Sequence, residues 1–178
     1  IGSRPIDQFN VSGQLNANEE IIDSPEKVTM LNAIKISGRT KSGLGIGFFN
    51  AITDKTEAII KDKTTGNTRK EITNPFSNYN ILVVDKQFNQ NSSVTLINTN
   101  VTRDGKFRDA NVTGLLWHIE TKDSKYNVDG SVKMSTIFDD VNQPNTGYTF
   151  DTSFGKNSGS WNWEIGYNFT DEKFNPND

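Results

Sequence analysis

The stretch Tyr126-Asn127-Val128-Asp129-Gly130-Ser131-Val132-Lys133-Met134-Ser135 decides how this chain reads. Tyr126, Val128, Val132 and Met134 fall at every second position, with Gly130 in the same phase. Asn127, Asp129, Ser131, Lys133 and Ser135 fill the other phase. Strand side chains alternate between two faces, so a period of two marks a β-strand with one apolar and one polar face. Two later stretches repeat the pattern. Tyr148, Phe150, Thr152 and Phe154 alternate with Thr149, Asp151 and Ser153. Trp161, Trp163, Ile165, Tyr167 and Phe169 alternate with Asn162, Glu164, Gly166 and Asn168. Each stretch spans about 9–11 residues, the length with which a tilted strand crosses a bilayer core.

Working back toward the N-terminus, the same signal with less contrast predicts strands at about 31–40, 44–61, 68–88, 93–103 and 109–121, about eight in all. In the last of these, Leu115, Trp117 and Ile119 alternate with Gly114, Leu116 and His118. Tyr79 to Val84 is apolar on both faces, which calls for a plug, loop or domain over the inner one. Between Leu96 and Val101 the apolar phase slips by one residue, as at a β-bulge. The one helical candidate is Glu26 to Ala33, after Ser24-Pro25. Short connections (Lys41-Ser42-Gly43, Asn89 to Ser92, Lys122 to Lys125, Lys156 to Gly159) are expected to alternate strictly with longer ones (1–30, roughly 62–77, 103–108, 138–145 and beyond 170). Outer-membrane barrels alternate tight turns and longer loops in this way.

Composition agrees. Hydrophobic residues make up 33% of the chain, against roughly 45–50% in ordinary soluble domains. A membrane barrel needs apolar residues on one strand face only. Net charge is −3 with basic residues scattered, so no clustered nucleic-acid surface is expected. There is no cysteine, which removes disulfide and thiol chemistry. No apolar run reaches the ~18 residues of a membrane helix.

Several residues invite chemistry. Gly43-Leu44-Gly45-Ile46-Gly47 resembles a phosphate-binding loop, but that loop opens a helix, whereas strand-like Phe48-Phe49-Asn50-Ala51-Ile52 follows here. The glycines are therefore expected to leave one strand face bare for packing. His118, the single histidine, lacks the partners of a catalytic triad or a zinc site and is expected to face a lumen or interface. Asp139, Asp140, Asn142 and Asn145 could supply calcium ligands, but lack EF-hand spacing and also suit a solvated loop. Asn-X-Ser/Thr triplets at Asn10, Asn91, Asn100, Asn111 and Asn168 reflect an Asn- and Thr-rich composition. Asp129, Lys133, Asp151 and Glu164 share the polar phase of neighbouring strands and are the lumen-facing candidates. A glycosidase would need two carboxyl groups about 5–9.5 Å apart across a cleft. Trp117, Trp161, Trp163 and Tyr167 are candidates for an interfacial aromatic girdle, or for stacking on sugars.

Four segments also resemble a known family. They are Lys35-Ile36-Ser37-Gly38-Arg39-Thr40-Lys41-Ser42-Gly43-Leu44-Gly45-Ile46-Gly47-Phe48-Phe49-Asn50-Ala51-Ile52-Thr53, Asn78 to Asp85 with Asn91 to Arg103, and Phe107 to Gly114. They are similar to large envelope proteins of Bacteroides-type bacteria. Those carry an N-terminal domain resembling carbohydrate-binding module family nine, followed by a long C-terminal domain of unknown function that looks like an outer-membrane barrel. The resemblance covers roughly residues 1–114 well and the remainder loosely. It implies an internal part of that C-terminal domain, and brings no catalytic residue with it.

The expectation is thus one all-β domain over residues 1–178. It would be an antiparallel up-and-down meander forming a segment of a larger outer-membrane β-barrel. Its role would be non-enzymatic, in passage or surface display linked to glycan handling. Outer-membrane lipid, glycans and other envelope proteins would be its partners; no nucleic acid, metal or cofactor is expected. A soluble carbohydrate-binding β-sandwich or jelly roll is the first alternative. An envelope glycoside hydrolase using acids such as Asp129 and Asp151 is the second.

Overall fold

The computed structural model describes residues 3–5, 11–89, 91–139 and 143–176. Among these residues the fold is all-β and antiparallel, with a single 3-10 turn (Val11–Gln14) and no α-helix. Twelve strands form two sheets: β1 (Ser3–Pro5), β2 (Glu19–Asp23), β3 (Lys27–Arg39), β4 (Leu44–Thr53), β5 (Thr56–Asp62), β6 (Thr68–Asn74), β7 (Ser77–Phe88), β8 (Ser92–Arg103), β9 (Asp109–Glu120), β10 (Tyr126–Phe138), β11 (Asn145–Lys156) and β12 (Trp163–Thr170). Nine make one open sheet, in the order β1-β3-β4-β7-β8-β9-β10-β11-β12; β2, β5 and β6 make the other.

The meander expected from the sequence is present, with four corrections. The predicted helix at Glu26 to Ala33 is the first half of β3, whose start pairs with β1 from Lys27 to Thr29. The predicted strand 44–61 is two strands, parted at Asp54-Lys55, and 68–88 is two, parted at Pro75-Phe76. Proline has no N–H to give a ladder, and Asp54 turns its carboxylate onto the N–H of Lys55. No bulge interrupts the pairing of β8 with β9, which runs unbroken from Ser93↔His118 to Val101↔Ala110. Leu96 and Ile97 simply face opposite sides. Ile97 lies across from Gly114, where its Cγ2 fills the space a Cβ would take, 3.2 Å away. Finally, the strict short–long alternation fails. The link from Arg103 to Asp109 is no longer than that from Glu120 to Tyr126, and the link from Phe138 to Asn145 no longer than that from Lys156 to Trp163. Only the β4–β7 connection, which contains β5 and β6, is a long excursion.

Contacts divide the chain into two compact units. The first comprises residues 1–33, 51–78 and 103–107. Its small core is Ala58 and Ile60 with Leu15 packed against them. Its polar tie is Arg69 on β6. Arg69 donates from Nε and one terminal nitrogen to the two oxygens of Glu19 on β2 (2.8 and 3.0 Å), to Glu71 (2.6 Å) and to the carbonyl of Gln14 (3.0 Å). The guanidinium holds the Glu19 carboxyl at about 2, far below the usual carboxylate range. Asp62 caps the β5–β6 turn by accepting from the N–H groups of Thr64 and Thr65.

The second unit comprises residues 34–50, 79–102 and 108–178. Here the alternating glycines act as the sequence suggested. Gly43 adopts φ +83° in the β3–β4 turn. The Arg39 guanidinium lies over Gly45, and Val83 packs onto Gly47. Of Tyr79, Ile81 and Val83, which share the reverse phase of β7, Val83 therefore meets bare backbone on its neighbour strand.

Candidate membrane-facing surface and its polar reverse

The register of β8 to β12 sets side chains in rows across the sheet. Tyr126, Lys156 and Trp163 form the row nearest the short turns. Next come Ile119, Val128, Phe154 and Ile165, then Val94, Trp117, Gly130, Thr152 and Tyr167, then Leu96, Leu115, Val132, Phe150 and Phe169. Asn98, Thr113, Met134 and Tyr148 follow. The same face continues over β3, β4 and β7 with Ile34, Ile36, Ile46, Phe48 and Leu82, since their sequence neighbours Arg39, Gly45, Val83 and Asp85 meet on the reverse.

These apolar side chains are exposed to an extent foreign to a folded core. Ile36 is 65% exposed, Ile165 70% and Tyr167 63%. Monomeric soluble proteins rarely expose apolar patches beyond a few hundred Å². Aromatic pairs run diagonally over the surface. Trp117 meets Phe150 (6.2 Å between centroids), which meets Tyr167 (6.4 Å). Tyr126 stacks on Phe154 (6.1 Å), which meets Trp163 edge-on (5.2 Å). Trp117 also covers Gly130, whose Cβ, were there one, would stand 2.7 Å from the indole Cε2 and 2.5 Å from the Asp151 carbonyl. From the Tyr126 row to the Met134 row the face is about 20 Å tall, taking a rise of about 3.3 Å per residue and a strand tilt of about 40°. Beyond it the face turns polar. Asn98 donates to Asn111 (3.1 Å) and Thr113 (2.8 Å), and Thr136 bonds Thr146 (3.1 Å).

The reverse is polar along β10 from Asn127 to Ser135. Asp129 accepts from Nδ1 of His118 on β9 and from the side-chain amide of Asn127. Asp151 on β11 accepts from Ser131, with Lys133 Nζ 3.8 Å away. The sheet thus joins Asp129 to His118, and Asp151 to Lys133. Glu164, opposite Gly155, makes none of these contacts. Sequence reasoning placed His118 on this side but missed its bond to Asp129, because the pairing needs the β9–β10 register. The segment after β12 folds back on this reverse face: Asn175 N–H donates to Ser135 Oγ (2.9 Å), and Gly147 leaves room for the backbone of Lys173.

Of the aromatic candidates, Trp117, Trp163 and Tyr167 sit on the apolar face. Trp161 precedes β12 and is 81% exposed. Among the described residues no group of three or more His, Asp or Glu side chains is placed to hold a metal. Asp140 and Asn142 of the loop considered for calcium lie outside the described residues, as does Asn10.

A family model described as "Domain of unknown function (DUF5916)" matches residues 1–178. The chain belongs to that family. No curated protein and no solved structure matches this DUF5916 chain.

Proposed function

We propose that this chain is a non-enzymatic, membrane-spanning part of an outer-membrane β-barrel, its apolar face against lipid and its polar reverse toward water or a lumen. One observation supports the reading above all others: an exposed apolar face runs from β3 to β12 in unit two, and on β10 to β12 it is backed by charged and polar side chains. Lipid is the solvent in which such a face is stable, and antiparallel strands are how a barrel satisfies its backbone there. Asp129, Lys133 and Asp151 would then line the lumen side, with Glu164 further along it. Passage of solutes or surface display is the role that fits a wall of this kind. A link to glycan handling, beside a domain like carbohydrate-binding module family nine in a Bacteroides-type envelope, comes from the sequence resemblance alone.

Fractionation tests the reading. The native protein should sediment with the outer membrane, need detergent for extraction and show heat-modifiable gel mobility. A monomer that stays soluble without detergent would overturn it in favour of a β-sandwich.

A further inference from the structure

We propose that the short-turn end of the apolar face binds the phosphate of anionic phospholipid headgroups, through Lys125 and Lys156 framed by Tyr126 and Trp163. This rests on the membrane reading and adds which end of the wall meets charged headgroups, and with which groups.

The placement of charge carries the inference. In the apolar phase of β10, β11 and β12, the one charged residue is Lys156, and it stands in the last row, between Tyr126 and Trp163. In the same phase of β7 the one charged residue is Lys86, also at the short-turn end, where its Nζ donates to the Ser42 carbonyl (2.6 Å). No carboxylate enters this phase on any of those four strands. The far end of the face closes instead with amides and hydroxyls and with Asp109 of β9, opposite Phe138. The two ends of one apolar band therefore carry different chemistry, cationic at the short-turn end and amide, hydroxyl and carboxylate at the other.

The lysines are also poised. Lys156 Nζ donates to the Trp161 carbonyl (2.9 Å), which uses one of its three N–H donors and turns the ammonium toward the turn. Lys125 Nζ stands 5.5 Å from the centroid of the Tyr126 ring, within cation–π range. The nearest carboxylate of that turn, Asp123, accepts from the Thr121 hydroxyl (2.7 Å) and the Lys125 N–H. Aromatic rings at headgroup depth with long cationic side chains beside them form a site for a phosphate monoanion at a bilayer surface.

Brominated lipids test this in vesicles holding the refolded chain, with Trp163 as the sole tryptophan (Trp117→Phe, Trp161→Phe) or Trp117 as the sole one (Trp161→Phe, Trp163→Phe). The Trp163 form should be quenched best by bromine near the headgroup. The Trp117 form should be quenched by bromine about 10 Å deeper, four residues further along tilted strands. At Trp163, brominated phosphatidylglycerol should out-compete brominated phosphatidylcholine several-fold. A lysine near the surface is worth about five-fold, so Lys125→Gln with Lys156→Gln should bring the ratio toward one, with Trp117 unaffected. Quenching at the expected depths with no lipid preference in the parent chain would overturn the headgroup site and leave the membrane reading standing. No quenching of either tryptophan would overturn both.

Discussion

Val94→Arg probes the membrane reading most directly. Val94 lies opposite Trp117, and Trp117 opposite Gly130, four residues along β10 from the interfacial Tyr126. At about 3.3 Å per residue and a tilt of about 40°, that is about 10 Å below the Tyr126 row, near the middle of the band. An arginine at the midplane of a barrel's lipid face costs about 2–4 kcal/mol, and one near the interface about 0–1. Val94→Arg should therefore cost about 2–4 kcal/mol, and Tyr126→Arg about 0–1 beyond the loss of its ring contacts. Ser93→Arg, one residue away on the reverse face with His118 and Asp129, should cost under about 1 kcal/mol, as a lumen-side change does. Urea unfolding from vesicles measures all three. In a bilayer of shorter acyl chains the Val94→Arg cost should fall, since the guanidinium then reaches the headgroups; a steric clash would not respond to thickness. A cost at Val94 below about 0.5 kcal/mol, or one independent of thickness, would refute the assignment of this face to lipid.

Three further outcomes are expected. Gly130→Ala should destabilise by about 1–3 kcal/mol, as overpacking does, because the new methyl meets the Asp151 carbonyl as well as the Trp117 ring; removing the ring as well, in a Trp117→Ala double variant, should recover only part of the loss in the same unfolding measurement. Acid should loosen unit one through Glu19, whose folded carboxyl is depressed to about 2. The stabilisation is complete above the unfolded carboxylate range near 4.5 and is lost as pH falls toward 2, so amide exchange in β2 and β6 should accelerate over that window and Glu19→Gln should reduce the dependence, most of all in β2, leaving the part carried by Glu57 and Asp62. Thr53→Val should be neutral or stabilising by up to about 1 kcal/mol in thermal unfolding, since the buried Oγ1 of Thr53 has no hydrogen-bond partner among the described residues and an unpaired buried hydroxyl is a cost.

Much of the sheet could be read from residues alone, where one face is strongly apolar. β10, β11 and β12 announce themselves by period, because Tyr126, Phe150 or Trp163 in the wrong phase would fall among Asp and Ser. β3 hid its nature: Val28, Met30, Leu31 and Ile34 fit a helical stripe as well as a strand, and only pairing with β1 and β4 decides the matter. The break at Asp54-Lys55 carries no glycine or proline, so the sequence ran two strands together there. The Arg69–Glu19 tie spans fifty positions, and the His118–Asp129 bond depends on register. Such contacts are products of folding geometry, to which local pattern gives no access.

The outer edge of β12 gives the molecule a practical character. Among the described residues β12 pairs only with β11, and its eight residues are exposed throughout. Its outer row of backbone donors and acceptors meets no other strand among the described residues and is flanked by Trp163, Ile165, Tyr167 and Phe169. In water such an edge templates the addition of any other extended chain. Overproduced without a bilayer, the polypeptide should collect in inclusion bodies with intermolecular cross-strand order, and the route to soluble material should run through denaturant into lipid or detergent before concentration.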